Sequence, residues 1–159
     1  MTASANPSQE LGIAFPKVPD GSLFGAIRFS AAAKDYRGQE IKPGIYTLRY
    51  ALQPVDGNHL GVSPYRDFLL LVPASLDTGA SPIAFKELSV LSRKASGTGH
   101  PAVWSLLPAD GAPAALPGIK HVEDGDLWVL YFQFSLGPEG AAGTPTSIGM
   151  VIVGRAPEA

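Results

Sequence analysis

The sequence predicts a mainly β fold, a two-layer antiparallel β-sandwich with one packed α-helix at about residues 82–96. Two observations indicate it. The chain of 159 residues contains 18 glycines and 15 prolines, which divide it into short segments. Most of the segments between them are alternating or continuously apolar runs typical of strands, and only one has the spacing and end signals of a helix.

Length and composition favour a single domain. A chain of this size buries enough surface to fold without a disulfide or a metal, and the sequence contains no cysteine. Residues 1–10 are small, polar and aperiodic, so we expect a disordered leader there. The β-sandwich domain is expected at 11–155, followed by a frayed tail at 156–159.

Four extended segments are predicted in the first half of the domain. An extended segment at 11–16 precedes a Pro-Asp-Gly turn, and residues 22–29 alternate as a half-buried strand does. After a Lys-Pro-Gly turn, residues 45–52 place two tyrosines and two leucines on one face. The run at 67–73 is continuously apolar after its first residue, which predicts a central strand covered on both faces.

The predicted helix over 82–96 supplies that second cover. Ser81 suits the N-cap, Pro82 suits the first helical position, and Gly97 suits the left-handed position after the end. Apolar residues at helical spacing form the stripe that we expect to face the sheet. They are Ala84, Leu88, Leu91 and Ala95.

The second half predicts strands at 101–107, 118–123, 127–136 and 147–154, with a hairpin turn between the second and third. Five aromatic residues have strand spacing and are expected in the core: Trp104, Trp128, Tyr131, Phe132 and Phe134. Three tyrosines are expected to be partly exposed and available for stacking: Tyr36, Tyr46 and Tyr65.

Charge is sparse. Only 16% of the residues are charged and the net charge is −2, so we expect no nucleic-acid partner. The longest apolar runs are too short to span a membrane as a helix. A protein partner or self-association is expected, because few charges protect the surface and the sheet edges. Asp67, at a strand entrance, is expected to pair with Arg49 or Arg28.

The three histidines lie in or beside turns. His59 follows Asp56 by three residues, and His100 precedes a proline that favours the start of a strand. We consider His59, His100 and Asp56 as candidate metal ligands, for zinc or copper, with His121 as a further one. Ordinary turn chemistry is the alternative at each position. A shared site requires that strand 45–52 and the strand after His100 are antiparallel neighbours. If the two strands are parallel, we expect the histidines at opposite ends of the sheet.

No sequence motif indicates catalysis. The chain lacks the nucleophile elbow of hydrolases, the zinc-protease motif and the glycine-rich phosphate loops. The absence of cysteine excludes a thiolate nucleophile and a blue-copper site. Whether the protein is an enzyme stays open, with the balance towards a non-enzymatic protein.

Three stretches resemble an uncharacterised secreted bacterial β-sandwich family: "YTLRYALQPVDGNHLG", "YRDFLLL" and "SRKASGTGHPAVWSL". The resemblance implies export, with a removed signal peptide and a periplasmic or extracellular location, and a β-rich fold. It implies no activity and no catalytic residues. We therefore expect an exported, non-enzymatic domain that acts in binding or assembly and holds no cofactor. The alternative is a metal-binding protein or small metalloenzyme that uses the loop histidines.

Overall fold

The computed structural model describes residues 1–59 and 61–156. Within these ranges the chain forms nine strands, one α-helix and a short 3-10 helix at Ala74–Leu76. The helix α1 is Phe85–Ser96. The strands are β1 Leu23–Phe29, β2 Ala33–Lys34, β3 Glu40–Ile41, β4 Gly44–Leu52, β5 Asp67–Pro73, β6 Val103–Pro108, β7 Gly118–Val122, β8 Leu127–Leu136 and β9 Thr144–Val153.

Seven strands form one antiparallel sheet in the order β1-β4-β5-β6-β9-β8-β7, and β2 and β3 form a small separate pair. The strand β6 belongs to both halves of the large sheet. Its first part, Val103–Ser105, pairs with β5, and its second part, Leu106–Pro108, pairs with β9. The sheet therefore curls at β6 into two layers that are joined by this shared strand. The first layer contains β1, β4, β5 and the start of β6, and the second contains the end of β6, β9, β8 and β7.

Side chains from the two layers meet in the main core. The rings of Phe24 in β1 and Phe134 in β8 lie 4.7 Å apart between centroids. Around them pack residues from β4, β5, β6 and β9, which include Tyr50, Leu71, Trp104, Leu106, Ile148 and Met150. The predicted mainly β architecture with one packed helix is confirmed.

The strand β5 is covered on both faces, as its apolar run predicts. Leu69 and Leu71 point into the main core between the layers. Phe68 and Leu70 point the other way, into a second apolar cluster that includes Leu88 of α1. The helix therefore packs on the outer face of the first layer, where an alternating strand would have exposed polar residues to water.

The helix begins three residues later than its capping signals predict. Ala84 occupies the N-cap position without a side-chain cap, and Gly97 ends the helix with a left-handed φ of 67°. The expected N-cap Ser81 is engaged elsewhere, because its carbonyl accepts a hydrogen bond from Arg49. The amide of Ile83 donates to the carbonyl of Gly21, which holds this segment outside the helix.

A buried ion pair anchors the segment before α1. The guanidinium of Arg49 in β4 contacts both carboxylate oxygens of Asp77, at 2.8 Å through Nε and 2.6 Å through Nη2. Both side chains are almost fully enclosed, at 0% and 1% exposure. The remaining N–H groups of Arg49 donate to the carbonyls of Gly21, Gly79 and Ser81. Such a buried charge is tolerated only when all its donors are satisfied.

The predicted pairing of Asp67 with Arg49 or Arg28 is wrong. The Asp67 carboxylate accepts hydrogen bonds from the amides of Ala14 and Phe15, at 2.7 and 3.0 Å, and from the Tyr50 hydroxyl at 2.6 Å. Three neutral donors satisfy this buried carboxylate in place of a cation. They also fix the segment at 11–16 as a turn rather than the extended segment that its apolar residues predicted.

Several aromatic residues lie elsewhere than predicted. Trp104 and Tyr131 are in the core as expected, but Trp128 is 45% exposed near the end of its sheet layer. Tyr36 and Tyr46 are buried rather than partly exposed. Strand periodicity gives the face of a residue, but the extent of the opposing layer decides whether that face is covered.

The sequence predicts disorder at both ends of the chain. In the structure the terminal amine of Met1 donates to the carbonyl of Ser135 at 2.8 Å, and the amide of Ala3 donates to Gly137. The expected disorder of residues 1–10 stays a prediction. Apart from Ala156, the predicted frayed tail at 156–159 lies outside the described residues.

Removing the charge of Asp77 tests the buried ion pair. Asp77→Asn keeps the shape but leaves the Arg49 guanidinium uncompensated, so we expect the free energy of unfolding at pH 7 to fall by about 3–5 kcal/mol. The exposed control Asp124→Asn should change it by less than about 0.5 kcal/mol. Urea denaturation measures both variants, and a loss under about 1 kcal/mol for Asp77→Asn would contradict the assigned role.

The ion pair between Arg49 and Asp77 also predicts how the stability of the fold changes at acid pH. The hydrogen bonds from Arg49 hold the pKa of Asp77 below its ordinary value of 3.8. When folding lowers the pKa of a carboxyl group, the ionised group stabilises the folded state at a pH above its pKa in the unfolded chain. This stabilisation is lost as the pH falls through the pKa of the folded state. The difference in the free energy of unfolding between wild type and Asp77→Asn should therefore become smaller below pH 3.8.

Candidate functional site

A pocket of about 270 Å³ lies on the outer face of the first layer, beside α1. Its floor is formed by apolar residues of β4, β5 and β6, namely Ala51, Leu52, Phe68, Leu70 and Val103. One wall is α1 and the opposite wall is the loop at 53–66, which contributes Pro54, His59 and Val62. The residues that follow α1 and the turn after β2 complete the rim.

The loop at 53–66 is closed at its base and folds back over the sheet. The amide of Gln53 donates to the carbonyl of Arg66 at 2.7 Å, and Arg66 Nε donates to the carbonyl of Gln53 at 3.0 Å. At its tip Asp56 accepts from the amide of Asn58 at 3.0 Å and contacts Nδ1 of His59 at 2.7 Å. This turn places the His59 ring, which is 24% exposed, against the pocket.

His100 reaches the same pocket from the other side. The left-handed Gly97 ends α1, and the hydroxyl of Ser96 donates to the carbonyl of His100 at 2.6 Å. Nδ1 of His100 lies 2.8 Å from the carbonyl of Pro101, which fixes the ring. The result is a half-buried imidazole at the rim.

The two histidines therefore share one pocket, with their ring centroids 6.3 Å apart. The reasoning from strand order was wrong, because β4 and β6 are separated by β5 and run parallel to each other. The rings meet because the loop that carries His59 folds back across the ends of these strands. A loop of this length can place its residues at positions that the order and direction of the strands do not predict.

Within the part of the chain that the structure describes, Nδ1 of each ring is engaged and Nε2 of each ring has no hydrogen-bond partner. A carbonyl and an ionised carboxylate only accept hydrogen bonds, so Nδ1 carries the proton in both His100 and His59. In the neutral rings Nε2 is then the unprotonated nitrogen, which is the arrangement of a metal-binding imidazole. Asp56 is placed to orient His59 through Nδ1. Among residues 1–59 and 61–156 no cluster of three or more metal-ligating side chains occurs.

The electrostatic environment of the rim is cationic. Burial, the nearby Arg37 guanidinium and His59 lower the pKa of His100 below 6.5, although the Pro101 carbonyl acts in the opposite direction. The hydrogen bond from His59 lowers the pKa of Asp56. At neutral pH the fixed positive charge at the pocket therefore comes from arginine rather than from His100.

The turn after β2 delivers Tyr36 and Arg37 to the rim. The buried carboxylate of Asp35 accepts hydrogen bonds from the amide of Arg37 at 2.9 Å and from the amide of Val103 at 3.1 Å. This bond ties the turn to the start of β6. The Tyr36 ring packs against Phe68 on the pocket floor, with centroids 6.1 Å apart.

The side chains of α1 that line the pocket change from apolar to charged along the helix. Phe85, Ser89 and Arg93 are spaced by four residues, so they lie on one face of α1, and all three line the pocket. Eight residues of helix span about 12 Å. The wall therefore runs from an aromatic ring in the first turn, through a hydroxyl, to a guanidinium in the last turn.

Two hydroxyls on the pocket are left without partners. Tyr36 and Ser89 are 5% and 6% exposed, and neither hydroxyl makes a hydrogen bond to another residue in the described part of the chain. No side-chain oxygen or nitrogen described there is both fully enclosed and unpartnered. Both hydroxyls therefore retain access to open space, and the pocket is the space that both residues line.

His121 is not part of this site. Its Nε2 lies 2.7 Å from Asp126, and its ring lies beside Trp128 at 4.9 Å between centroids, in the hairpin of β7 and β8. Of the three histidines, the structure brings together only His59 and His100.

The chain matches no protein-family model, no curated protein and no solved structure. The resemblance to a secreted bacterial β-sandwich family therefore stays a prediction. In the described ranges, α1 is far shorter and less apolar than a membrane-crossing helix.

Sequence reasoning missed Arg37, Ser89 and Arg93 as functional candidates, and it named Tyr36 only as a partly exposed residue available for stacking. A signal for Ser89 and Arg93 was present, because a serine and an arginine continue the spacing of Phe85 on the predicted helix. No local signal marks Tyr36 and Arg37. They reach the pocket through long-range hydrogen bonds, from the Val103 amide to Asp35 and from the Tyr36 amide to the Val103 carbonyl.

Titration tests the burial of His100. Its imidazole signal should titrate with a pKa below 6.5 in proton NMR. A histidine whose pKa is lowered by folding destabilises the fold as pH drops through the unfolded value, because the unfolded chain takes up the proton first. His100→Gln should therefore lose less stability than wild type between pH 7.5 and 5.5 in urea denaturation, and an equal or larger loss would contradict this assignment.

Proposed function

We propose that the protein is a non-enzymatic binding module whose ligand occupies the pocket between α1, the loop at 53–66 and the outer face of β4, β5 and β6. The observation that carries the proposal is the hydroxyl of Ser89, on a residue 6% exposed, which has no hydrogen-bond partner within the described residues and lies on a pocket with an apolar floor. Buried polar groups are normally hydrogen-bonded. An apolar cavity with a few convergent polar groups is the usual form of a small-molecule site.

Export to the periplasm or the extracellular space remains part of this proposal, supported by the resemblance of the sequence. The sequence carries no catalytic motif, and among the described residues that line the pocket no hydroxyl is hydrogen-bonded to a histidine or a carboxylate, which supports a binding role. Assembly with a protein partner or a second copy is the other expected activity. Ile119, Trp128 and Val153, on neighbouring strands β7, β8 and β9, are 45–59% exposed and support it.

A neutral fluorescent probe tests the pocket. N-phenyl-1-naphthylamine should bind with a single-site increase in fluorescence, because the floor and most of the walls are apolar. Ser89→Phe fills the pocket from α1 and should weaken the binding by at least about tenfold.

The matched control is Val90→Phe, which adds a ring to the same helix at a residue that is 50% exposed and does not line the pocket. It should leave the affinity unchanged. Binding that survives Ser89→Phe in a folded variant would place the probe elsewhere and contradict the proposal.

Metal binding is the second candidate function. The ring centroids of His59 and His100 lie 6.3 Å apart, and Nδ1 of each ring is held by an oxygen acceptor. Two imidazole rings whose centroids lie this far apart are able to share one ion through their Nε2 atoms after an adjustment of the loop, and imidazole favours zinc and copper. Asp56 would act through His59 rather than as a third ligand.

Thermal melting tests this candidate. Zn²⁺ or Cu²⁺ in excess should raise the melting temperature by about 5 °C, because an ion bound only by the folded state stabilises it. His59→Ala and His100→Ala should each abolish the increase, and His121→Ala should retain it. A melting temperature unchanged by both ions in the wild type would exclude the metal site.

A further inference from the structure

We infer that the ligand of the pocket is a small molecule with an apolar body and a carboxylate head group, oriented with the carboxylate towards the last turn of α1. This inference rests on the proposed binding function and names the class of ligand. It depends on the charges that line the pocket, on the polarity of the α1 wall, and on the two unpartnered hydroxyls.

Apart from the phenol of Tyr36, the ionisable side chains that line the pocket are basic. They are Arg37, Arg93, His59 and His100, and no aspartate or glutamate is among the lining residues. Neither Arg37 nor Arg93 forms an ion pair within residues 1–59 and 61–156. Two acids lie near the rim without lining it: Asp56 is held by His59, and the carboxylate of Asp35 accepts hydrogen bonds from the amides of Arg37 and Val103. An incoming carboxylate therefore meets unpaired guanidinium groups, which bind it with charge-assisted hydrogen bonds.

The apolar part of the pocket gives the ligand its direction. Phe85 lies at the start of the α1 wall and Arg93 at its end, with Ser89 between them. The floor beneath this wall consists of Phe68, Leu70 and other apolar residues. A chain or ring along this wall removes apolar surface from water while its head group reaches Arg93, and Ser89 and Tyr36 supply hydrogen bonds to oxygen atoms.

Three probes of equal chain length separate the head group from the body: octanoate, octan-1-ol and octylamine. The imidazole signals of His59 and His100 in NMR titrations report binding at the pocket, and those of His121 serve as an internal control. Octanoate should bind about tenfold more tightly than octan-1-ol at pH 7.5, and octylamine should bind more weakly than both.

Two substitutions in the last turn of α1 locate the head group. Arg93→Gln should lower the affinity for octanoate to that for octan-1-ol and leave the affinity for the alcohol unchanged. Lys94→Gln removes the same charge from a neighbouring residue that does not line the pocket, so it should alter neither affinity. Arg37→Gln provides a second variant on the rim with the same expected direction.

The outcomes distinguish the inference from the function on which it rests. Equal binding of octanoate and octan-1-ol, or tightest binding of octylamine, would overturn the carboxylate assignment and leave the pocket as a binding site. If Arg93→Gln and Lys94→Gln weaken octanoate binding equally, the preference for octanoate comes from the general charge of the surface. That result would also overturn the carboxylate assignment. If no probe shifts the signals of His59 and His100 in the folded protein, the proposed binding function fails as well.

Discussion

The guanidinium of Arg49 is the constraint on which the rest of the structure depends. It lies fully buried in β4, where a charge is costly, and its donors are satisfied by Asp77 and by the carbonyls of Gly21, Gly79 and Ser81. These bonds hold the chain before α1 in an extended path and delay the start of the helix. The position of the helix wall above the sheet, and so the pocket, follows from this one side chain.

Polar residues on the buried side of α1 complete this arrangement. Ser92 bonds both the amide and the carbonyl of Ala102, at 3.0 and 3.2 Å, and so joins the helix to the segment leading into β6. Small side chains allow the helix to approach the sheet closely where these bonds form. Ser89, one turn earlier, has no such partner within residues 1–59 and 61–156 and lines the pocket instead. The same residue type therefore provides a structural bond at one position and an open donor at the next.

The fold was largely predictable from the sequence, and the candidate site only in part. Alternation and apolar runs are local signals, so β4, β5 and α1 were identified, including the double cover of β5. The partners of Arg49 and Asp67 were not, because hydrogen bonds between residues distant in sequence leave no periodicity. His59 and His100 were recognised as turn residues, but their approach depends on a loop folding back. Arg37 reaches the pocket through Asp35, a link that no local pattern indicates.

The strand β6 has a mechanical consequence. In a sandwich whose layers are connected only by loops, the layers are able to slide past one another. Here Val103–Ser105 and Leu106–Pro108 are successive parts of one strand, hydrogen-bonded to different layers. Shear between the layers would have to break these ladders, so the floor beneath the pocket is effectively rigid. Adaptation to molecules of different size is therefore left to the opposite wall, the loop at 53–66, whose ends are joined by the hydrogen bonds between Gln53 and Arg66.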